Sequence, residues 1–404
     1  MRILSQILFG AVLAPAVLSG SAVQNHSFAQ QGPEPAAQQQ YSSAYQERKR
    51  EINENVVTII ASGTASTDSI FAEDMQNVLD QPDNPGGLRI LPILGRGGGH
   101  NAMDILLLKG VDMGIMDASD LEILAEKDPA VFANTDNRLH YIAKLSNAEF
   151  QVLAQKRFRA LKDLAGQKVN CFKKHSSSSL GCERVFGLLE INVEIVHLDP
   201  AEANEKLKSK EIAAIVSLGG APHNAFAGFK PSDEVHFLPL DPETAQPEQF
   251  RKLLAYYSPA ILKNEHYPEL IAADAPVPTI ASATLLVTYN WPPPTERYLR
   301  ISNFVNEFFS NIEKFNAPAR HPKWKEINLA AEVPGWTRFK PAQDWLSNWK
   351  GAGQDVSAEM RTAFAIFLKN QGGGGEISSA QREVLFSQFL QWWNAQKAQK
   401  TSQR

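Results

Sequence analysis

The chain has 404 residues, too many for one small core, so two lobes or domains are expected. Hydrophobic residues at 43% and charged residues at 21% make the balance of an ordinary soluble globular protein. A formal charge of −4 offers no general attraction to nucleic acid or anionic lipid and argues against both as partners.

The opening MRILSQILFGAVLAPAVLSGSA has one basic residue, an apolar run from about Ile7 to Leu18, and then small residues. That run is shorter than the roughly 20 residues a membrane helix needs. It reads as a secretory signal peptide within 1–29, cleaved after Ala22 or Ala29, which implies a periplasmic protein with no membrane insertion after cleavage. Residues 30–51 are Gln- and Pro-rich and then charged, and read as a polar linker.

Strand and helix signals then alternate. VVTIIASG (56–63) reads as a strand, and 69–80 as a helix with Ile70, Phe71, Met75, Val78 and Leu79 on one face. LRILPIL (88–94) is a strand, GRGGGHN (95–101) a loop, 101–109 a helix and VDMGIM (111–116) a short strand. LHYIAKL (139–145) and FQVLAQ (150–155) read as two strands, and LKDLAGQKVNCF (161–172) as a helical turn, a glycine stop and a strand. The serine run precedes a helix over about 179–189, followed by strand 193–198, helix 201–210 and strand 211–218. GGAPHNAF (219–226) reads as a loop opening another helix, 279–289 as a long strand and 296–315 as a long helix. Such alternation predicts an α/β fold with a largely parallel sheet.

Several loops share one design, with small or hydroxyl residues between a strand and a helix: SGTASTDS (62–69), GRGGGHN (95–101) and KKHSSSSLG (173–181). Helix N-termini leave backbone N–H groups free and carry partial positive charge, so a carboxylate sits well there. Serine and threonine add donors, and glycine lets a ligand approach the backbone. GGAP (219–222) adds close-approach glycines and a proline that can set a first helical turn.

A serine hydrolase is the competing reading, because His175 precedes four serines. The run lacks the Gly-x-Ser-x-Gly frame of a nucleophile elbow, and GRGGGHN lacks the closing Gly-Lys-Ser/Thr of a phosphate loop. No histidine–carboxylate set has metal-ligand spacing, so no metal, no cofactor and no enzyme activity are expected. Cys171 and Cys182 suit either a disulfide in an oxidising compartment or two buried thiols.

The segments VTIIASGTAS, GRGGGHNAMDILLLKGVDMGIMDASD, LKDLAGQKV, AEANEKLKSKEIAAIVSLGGAP and YYSPAILKNEHYPEL together resemble TAXI-type solute receptors of the TRAP transporters, over roughly 55–320. The resemblance implies a two-lobed type II periplasmic binding protein fold with a hinge cleft. Lobe 1 would be 52–144 with the return 278–340, lobe 2 would be 145–277, and 341–404 a helical extension. It also implies ligand contacts at Thr64 and Ser66, Gly99 and Asn101, Ser177 and Ser178, and Gly220 and Pro222. The cargo would be a small organic anion, a carboxylate or an amino acid, handed to a TRAP-type membrane permease. A periplasmic sensor of the same fold, acting on a signalling partner, is the alternative.

The chain departs from that pattern in two loops. Ala-Ser-Thr-Asp-Ser (65–69) stands where the family often has aromatics, and His-Ser-Ser-Ser-Ser (175–179) where it has Gly-Ser-Gly-Thr. Asp68 is expected to cap the following helix, the alternative being a contact to an amino group. His175 reads as a polar loop residue, and Lys173 and Lys174 as solvated charges. Near the C-terminus, 360–370 looks helical, 372–375 is a glycine joint, and 379–393 places Leu385, Phe386, Phe389, Leu390 and Trp393 on one helical face. That face would pack on the receptor's own lobe or dock a partner.

Overall fold

A computed structural model describes residues 42–64 and 66–349. The signal-peptide reading, the helices expected at 360–370 and 379–393, and all but the first part of the C-terminal extension lie outside the described residues. The chain divides at Glu47: residues 42–46 belong to an N-terminal unit, and everything described from Glu47 onward forms one compact unit. No helix among the described residues is long and apolar enough to cross a membrane.

The end of the expected linker is helical. Helix α1 (Ser43–Glu54) buries no residue. Arg50 pairs with Glu47 and Glu54 and Arg48 with Glu51, at the three- and four-residue spacings that face each other on a helix. The polar composition of this stretch reflected its exposure and not the absence of structure.

The first half follows as β1 (Val56–Ala61), α2 (Thr67–Leu79), β2 (Arg89–Leu94), α3 (Gly98–Leu107), β3 (Met113–Asp117) and α4 (Ala118–Lys127). Two short helices, α5 (Pro129–Phe132) and α6 (Thr135–Arg138), lead into β4 (Leu139–Gln155). The second half holds β5 (Lys168–Asn170), α7 (Ser177–Leu188), β6 (Glu194–Val196), α8 (Pro200–Lys208), β7 (Ala214–Gly219), β8 (Val235–Phe237), α9 (Pro247–Leu253) and β9 (Ser258–Leu262). The chain returns through β10 (Val277–Tyr289), α10 (Glu296–Ser310), a 3-10 turn at Pro322–Glu326 and α11 (Lys340–Asn348).

Among the described residues ten strands form one sheet, with β2-β1-β3-β10-β4-β7-β5-β6 as its main order. The strands outside the centre are parallel: β1 with β2 and β3, β5 with β6 and β7. β4 and β10 are antiparallel to each other from Leu139↔Tyr289 to Glu149↔Ala281. Each then continues into the other half, β4 against β7 and β8, β10 against β3 and β9. These two long strands are the only strand connections drawn through both halves of the described sheet, which makes them the hinge.

Core packing follows the same division. Alternate residues of a strand face opposite sides of a sheet. Val57, Ile59 and Ala61 join Phe71, Met75, Phe304, Phe308 and Trp324 on one face of the first half, while Ile60 joins Ala102, Ile105 and Leu124 on the other. In the second half Phe150, Val152 and Ala154 pack with Val185, Phe186 and Leu253, while Leu153 faces Leu207, Phe226 and Phe237. Both faces of each half are covered, as the parallel strands require, but the sheet is mixed and not largely parallel as expected, because β4 and β10 run antiparallel to each of their neighbours. Trp345 of α11 packs edge-on against Phe309 at 5.2 Å, so the chain past 340 begins on the first half's core.

Several expected elements are corrected. The two strands at 139–145 and 150–155 are one strand of 17 residues. The polar Ser-Asn-Ala-Glu between them does not break it, because β10 pairs those backbone groups at the crossing. The helix after GGAP is only a 3-10 turn, Asn224–Phe226, with the His223 ring accepting from Ala225 N at 3.2 Å. α10 stops at Ser310, not 315, where the Asn311 amide turns back onto the Glu307 carbonyl at 2.8 Å.

Candidate functional site

The loops chosen from sequence converge. Those after β1, β2 and β3 in the first half face those after β5 and β7 in the second, at the carboxyl ends of the strands, where open α/β sheets place their ligands. Four helix N-termini of ten residues or more, α2, α3, α4 and α7, start from these loops.

The two halves are in direct contact across this cleft. Thr67 Oγ1 donates to the Gly220 carbonyl at 3.1 Å, and Ser177 Oγ donates to Asp120 Oδ2 at 2.7 Å. Gly98, at φ +52°, lies so close to the start of α7 that an added Cβ would stand 2.6 Å from Ser177 N. The His100 and His175 rings meet edge-on at 5.4 Å. Further out, Arg184 of α7 reaches Glu126 and Glu122 of α4 at 2.8 and 3.8 Å, and Lys127 pairs with Glu183.

The residues named from sequence fall into three groups. Ser177, Gly220 and Gly98's neighbour Gly99 are buried at the junction, Gly99 packing on Leu124 and the other two bonded across the cleft as above. Asn101 and Ser178 are buried but tied inward. Asn101 accepts from Gly97 N and donates to the Ile115 carbonyl, clamping the glycine loop to β3, and Ser178 Oγ accepts from Leu218 N at 3.0 Å. Ser66, Thr64 and Pro222 are the third group: Ser66 is the N-cap of α2, Thr64 is exposed, and Pro222 is half-buried after a cis Ala221–Pro222 bond.

Asp68 is not the cap of α2, because Ser66 holds that position and accepts from Ser69 N at 3.1 Å. The Asp68 carboxylate instead accepts from Ser62 Oγ at 2.6 Å. The serine run also differs in register from the sequence reading. Ser176 is the N-cap of α7, so Ser177 and Ser178 lie in the first helical turn. His175, at φ +66°, is exposed in the loop, and Lys173 and Lys174 are exposed as expected. Cys171 and Cys182 form a disulfide joining the end of β5 to α7, both fully buried.

The strongest electrostatic feature is one the sequence reading passed over. Asp117 and Asp120 open α4 and are almost completely buried, at 5% and 0% exposure. Asp117 Oδ1 accepts from Thr284 Oγ1 of β10 at 2.9 Å, and Asp120 Oδ2 accepts from Asp117 N as well as from Ser177. Burial pushes Asp120 up to about 7. Burial, and then the charges of Asp120 and Asp68, hold Asp117 well above the usual carboxylate range. Dehydration raises Asp68 too, against the pull of the Ser62 hydroxyl. Among the described residues no cation is within ion-pair distance of the three. The signal was present in Asp117-Ala-Ser-Asp120 before an apolar run, the pattern of a helix N-terminus.

A second buried acid is treated in the opposite way. Glu149, at the crossing of β4, receives Lys323 Nζ on Oε1 and Ala221 N on Oε2 at 2.8 Å. Burial works to lower Lys323, but Glu149 and Glu326 outweigh it and leave the ammonium more basic than usual. Burial raises Glu149, with the Lys323 charge opposing it. The contact geometry, with both carboxylate oxygens occupied by donors, is that of an ionised pair.

A hinge of two long strands, two half-sheets with outer parallel strands, and a cleft lined by the intervening loops define the two-lobed type II periplasmic binding protein fold. The chain belongs to the NMT1-like family, whose model matches residues 61–333, about two thirds of its length. Solved structures similar to it include the periplasmic binding protein BugD, at 12% identity over 75% of this chain and 97% of that one, with a TM-score of 0.43. The alkanesulfonate-binding protein SsuA from Xanthomonas axonopodis pv. citri bound to MOPS matches at 13% identity over 78% and 93%, TM-score 0.36. An ancestral arginine-binding protein bound to arginine matches at 13% over 67% and 96%, TM-score 0.35.

Proposed function

We propose that the protein is an exported, non-enzymatic solute receptor. It takes a small organic anion, a carboxylate or an amino acid, between lobes 52–144 plus 278–340 and 145–277, and delivers it to a TRAP-type membrane permease. The observation that carries this reading is the cleft itself: helix N-termini α2, α3, α4 and α7 meet there from both sides of a two-strand hinge. Residues 1–29 serve as the export signal in this reading.

Closure needs no chemistry, only a solute that binds the closed form better than the open one. Thr67–Gly220 and Ser177–Asp120 are the closed-form contacts such a solute would reinforce. The hydrolase alternative loses support because Ser177 Oγ gives its hydrogen bond to Asp120, and Ser178 Oγ accepts from a backbone N–H, with no histidine among the described residues bonded to either.

Thermal unfolding of the exported protein against dicarboxylates, 2-oxoacids, amino acids and aromatic acids tests the reading. A solute at a hundred times its Kd adds about 2.7 kcal/mol of stability. Uptake of that solute by cells carrying the permease, lost on deletion of the receptor, would establish transport. Binding that leaves uptake unchanged would favour the sensor.

A further inference from the structure

We propose that the cleft contains a seat for a protonated amine, formed by Asp117 and Asp120 with the hydroxyls of Ser119 and Tyr257, so that the solute is an amino acid or another amine and not a plain carboxylate. The proposal rests on the solute-receptor reading and narrows its ligand class.

The carboxylates are not alone there. Asp120 Oδ1, Ser119 Oγ and Tyr257 OH are buried polar atoms without a hydrogen-bond partner among the described residues, in side chains at 0%, 4% and 2% exposure. They belong together: the Ser119 hydroxyl is beside that of Tyr257, and the charges of Asp120, Arg184 and Asp117 all act on the phenol, which burial already makes less acidic. Ser146 Oγ, also buried and without a partner, is on the residue opposite Thr284, which in turn bonds Asp117. A buried polar atom left unsatisfied is destabilising, so several in one place point to a group that completes them.

An ammonium group fits this chemistry. It carries three donors and no acceptor, and Asp120 Oδ1 and the two hydroxyl oxygens are all able to accept. Its charge is also the one missing: Glu149 has Lys323, whereas Asp68, Asp117 and Asp120 have no cation of their own among the described residues. A second carboxylate placed against these three would add repulsion in a site of low dielectric. An amino acid satisfies both ends, its amine on the aspartates and its carboxylate at the helix N-termini.

The test uses matched pairs that differ only in the amine: L-alanine and propionate, L-glutamate and glutarate, 4-aminobutyrate and butyrate. Binding to the full exported protein is measured by calorimetry at pH 6, 7 and 8. The groups acting on Asp120 are Asp117 and Asp68 from the first half and Ser177 and Tyr257 from the second, with Arg184 acting on Tyr257 in turn. The amine of at least one pair should bind a hundred-fold or more tighter than its partner. Its affinity should rise with pH, because an ionised aspartate is the better acceptor. Asp120→Asn should weaken the amine at least ten-fold and flatten that pH dependence, and Tyr257→Phe should weaken it several-fold with the fold intact by circular dichroism.

If the amine-free acids bind as well as the amines and Asp120→Asn leaves them unchanged, the amine seat is wrong and the solute receptor stands. Amine binding indifferent to Asp120→Asn, Asp117→Asn and Tyr257→Phe also overturns the seat. If no member of any pair binds, both the seat and the receptor reading fall.

Discussion

Lys323, on the return of the chain, and Glu149, in β4, meet as an ion pair in which both side chains are buried, 174 residues apart in sequence. Neither residue reaches water enough to be solvated, so each depends on the other. Lys323→Met should cost about 3–5 kcal/mol in urea unfolding, because it strands a buried carboxylate. Adding Glu149→Gln, which keeps an acceptor for Ala221 N, should recover most of that loss. A single-variant cost under 1 kcal/mol would mean the pair is not the brace it appears in the structure.

Gly98 sets how closely the two halves approach. It occupies φ +52° with Ser177 N within 2.6 Å of where a Cβ would be. Gly98→Ala adds a left-handed-region penalty of about 1–2 kcal/mol and a direct clash. The halves should part, breaking the Ser177–Asp120 bond, and small-angle scattering should report a larger radius of gyration than wild type. An unchanged radius would show that the α7 terminus yields instead of the hinge.

Asp117 and Asp120 should contribute stability that falls as pH rises from 4 to above 7, whereas His223 and His321, lowered to about 4 chiefly by burial, contribute in the opposite sense below about 6.5. Asp120 has a folded value near 7 against an ordinary value of 3.8, and Asp117 is raised too. A carboxyl whose folded pKa is raised contributes stability that is whole below its unfolded value and is lost as pH climbs through the folded one. Each such group gives a slope of at most about 1.4 kcal/mol per pH unit. Asp120→Asn should remove a falling component from the profile of urea midpoints between pH 5 and 8 and leave the variant more stable than wild type at pH 8. A wild-type profile running parallel to that of Asp120→Asn over that window would contradict the protonated, buried state of the pair.

The Cys171–Cys182 disulfide closes a short loop, 11 residues in sequence, between β5 and α7. By loop-closure entropy alone such a link adds about 3 kcal/mol. Reduction, or Cys171→Ala with Cys182→Ala, should lower the unfolding midpoint accordingly. Because the bridge anchors the helix that presents Ser177, any solute affinity should fall in the same samples. Equal stability with and without reductant would remove it from the list of braces.

Much of this architecture was legible before any coordinates. The alternation of β-branched runs with amphipathic helices, and small residues at each strand end, located the loops that the structure brings together. Phe71, Met75 and Leu79 were readable as a buried face because helical periodicity is local. Element ends were less legible. Ser176, three residues before the expected helix, proved to be the cap of α7, since any of four consecutive serines carries the same capping signal.

The partners of the polar side chains were not legible at all. Ser177 and Asp120 are 57 residues apart, and Thr67 and Gly220 are 153 apart, with nothing in the spacing to join them. By itself, the sequence determined an α/β chain with hydroxyl- and glycine-rich loops at its strand ends, because propensity and periodicity act over a few residues. Only the tertiary structure decided that β4 and β10 cross between halves, that Asp117 and Asp120 lose their water, and that Lys323 reaches Glu149. Burial and ion pairing arise from distant segments folding onto one another, and a linear pattern carries no record of which segments those are.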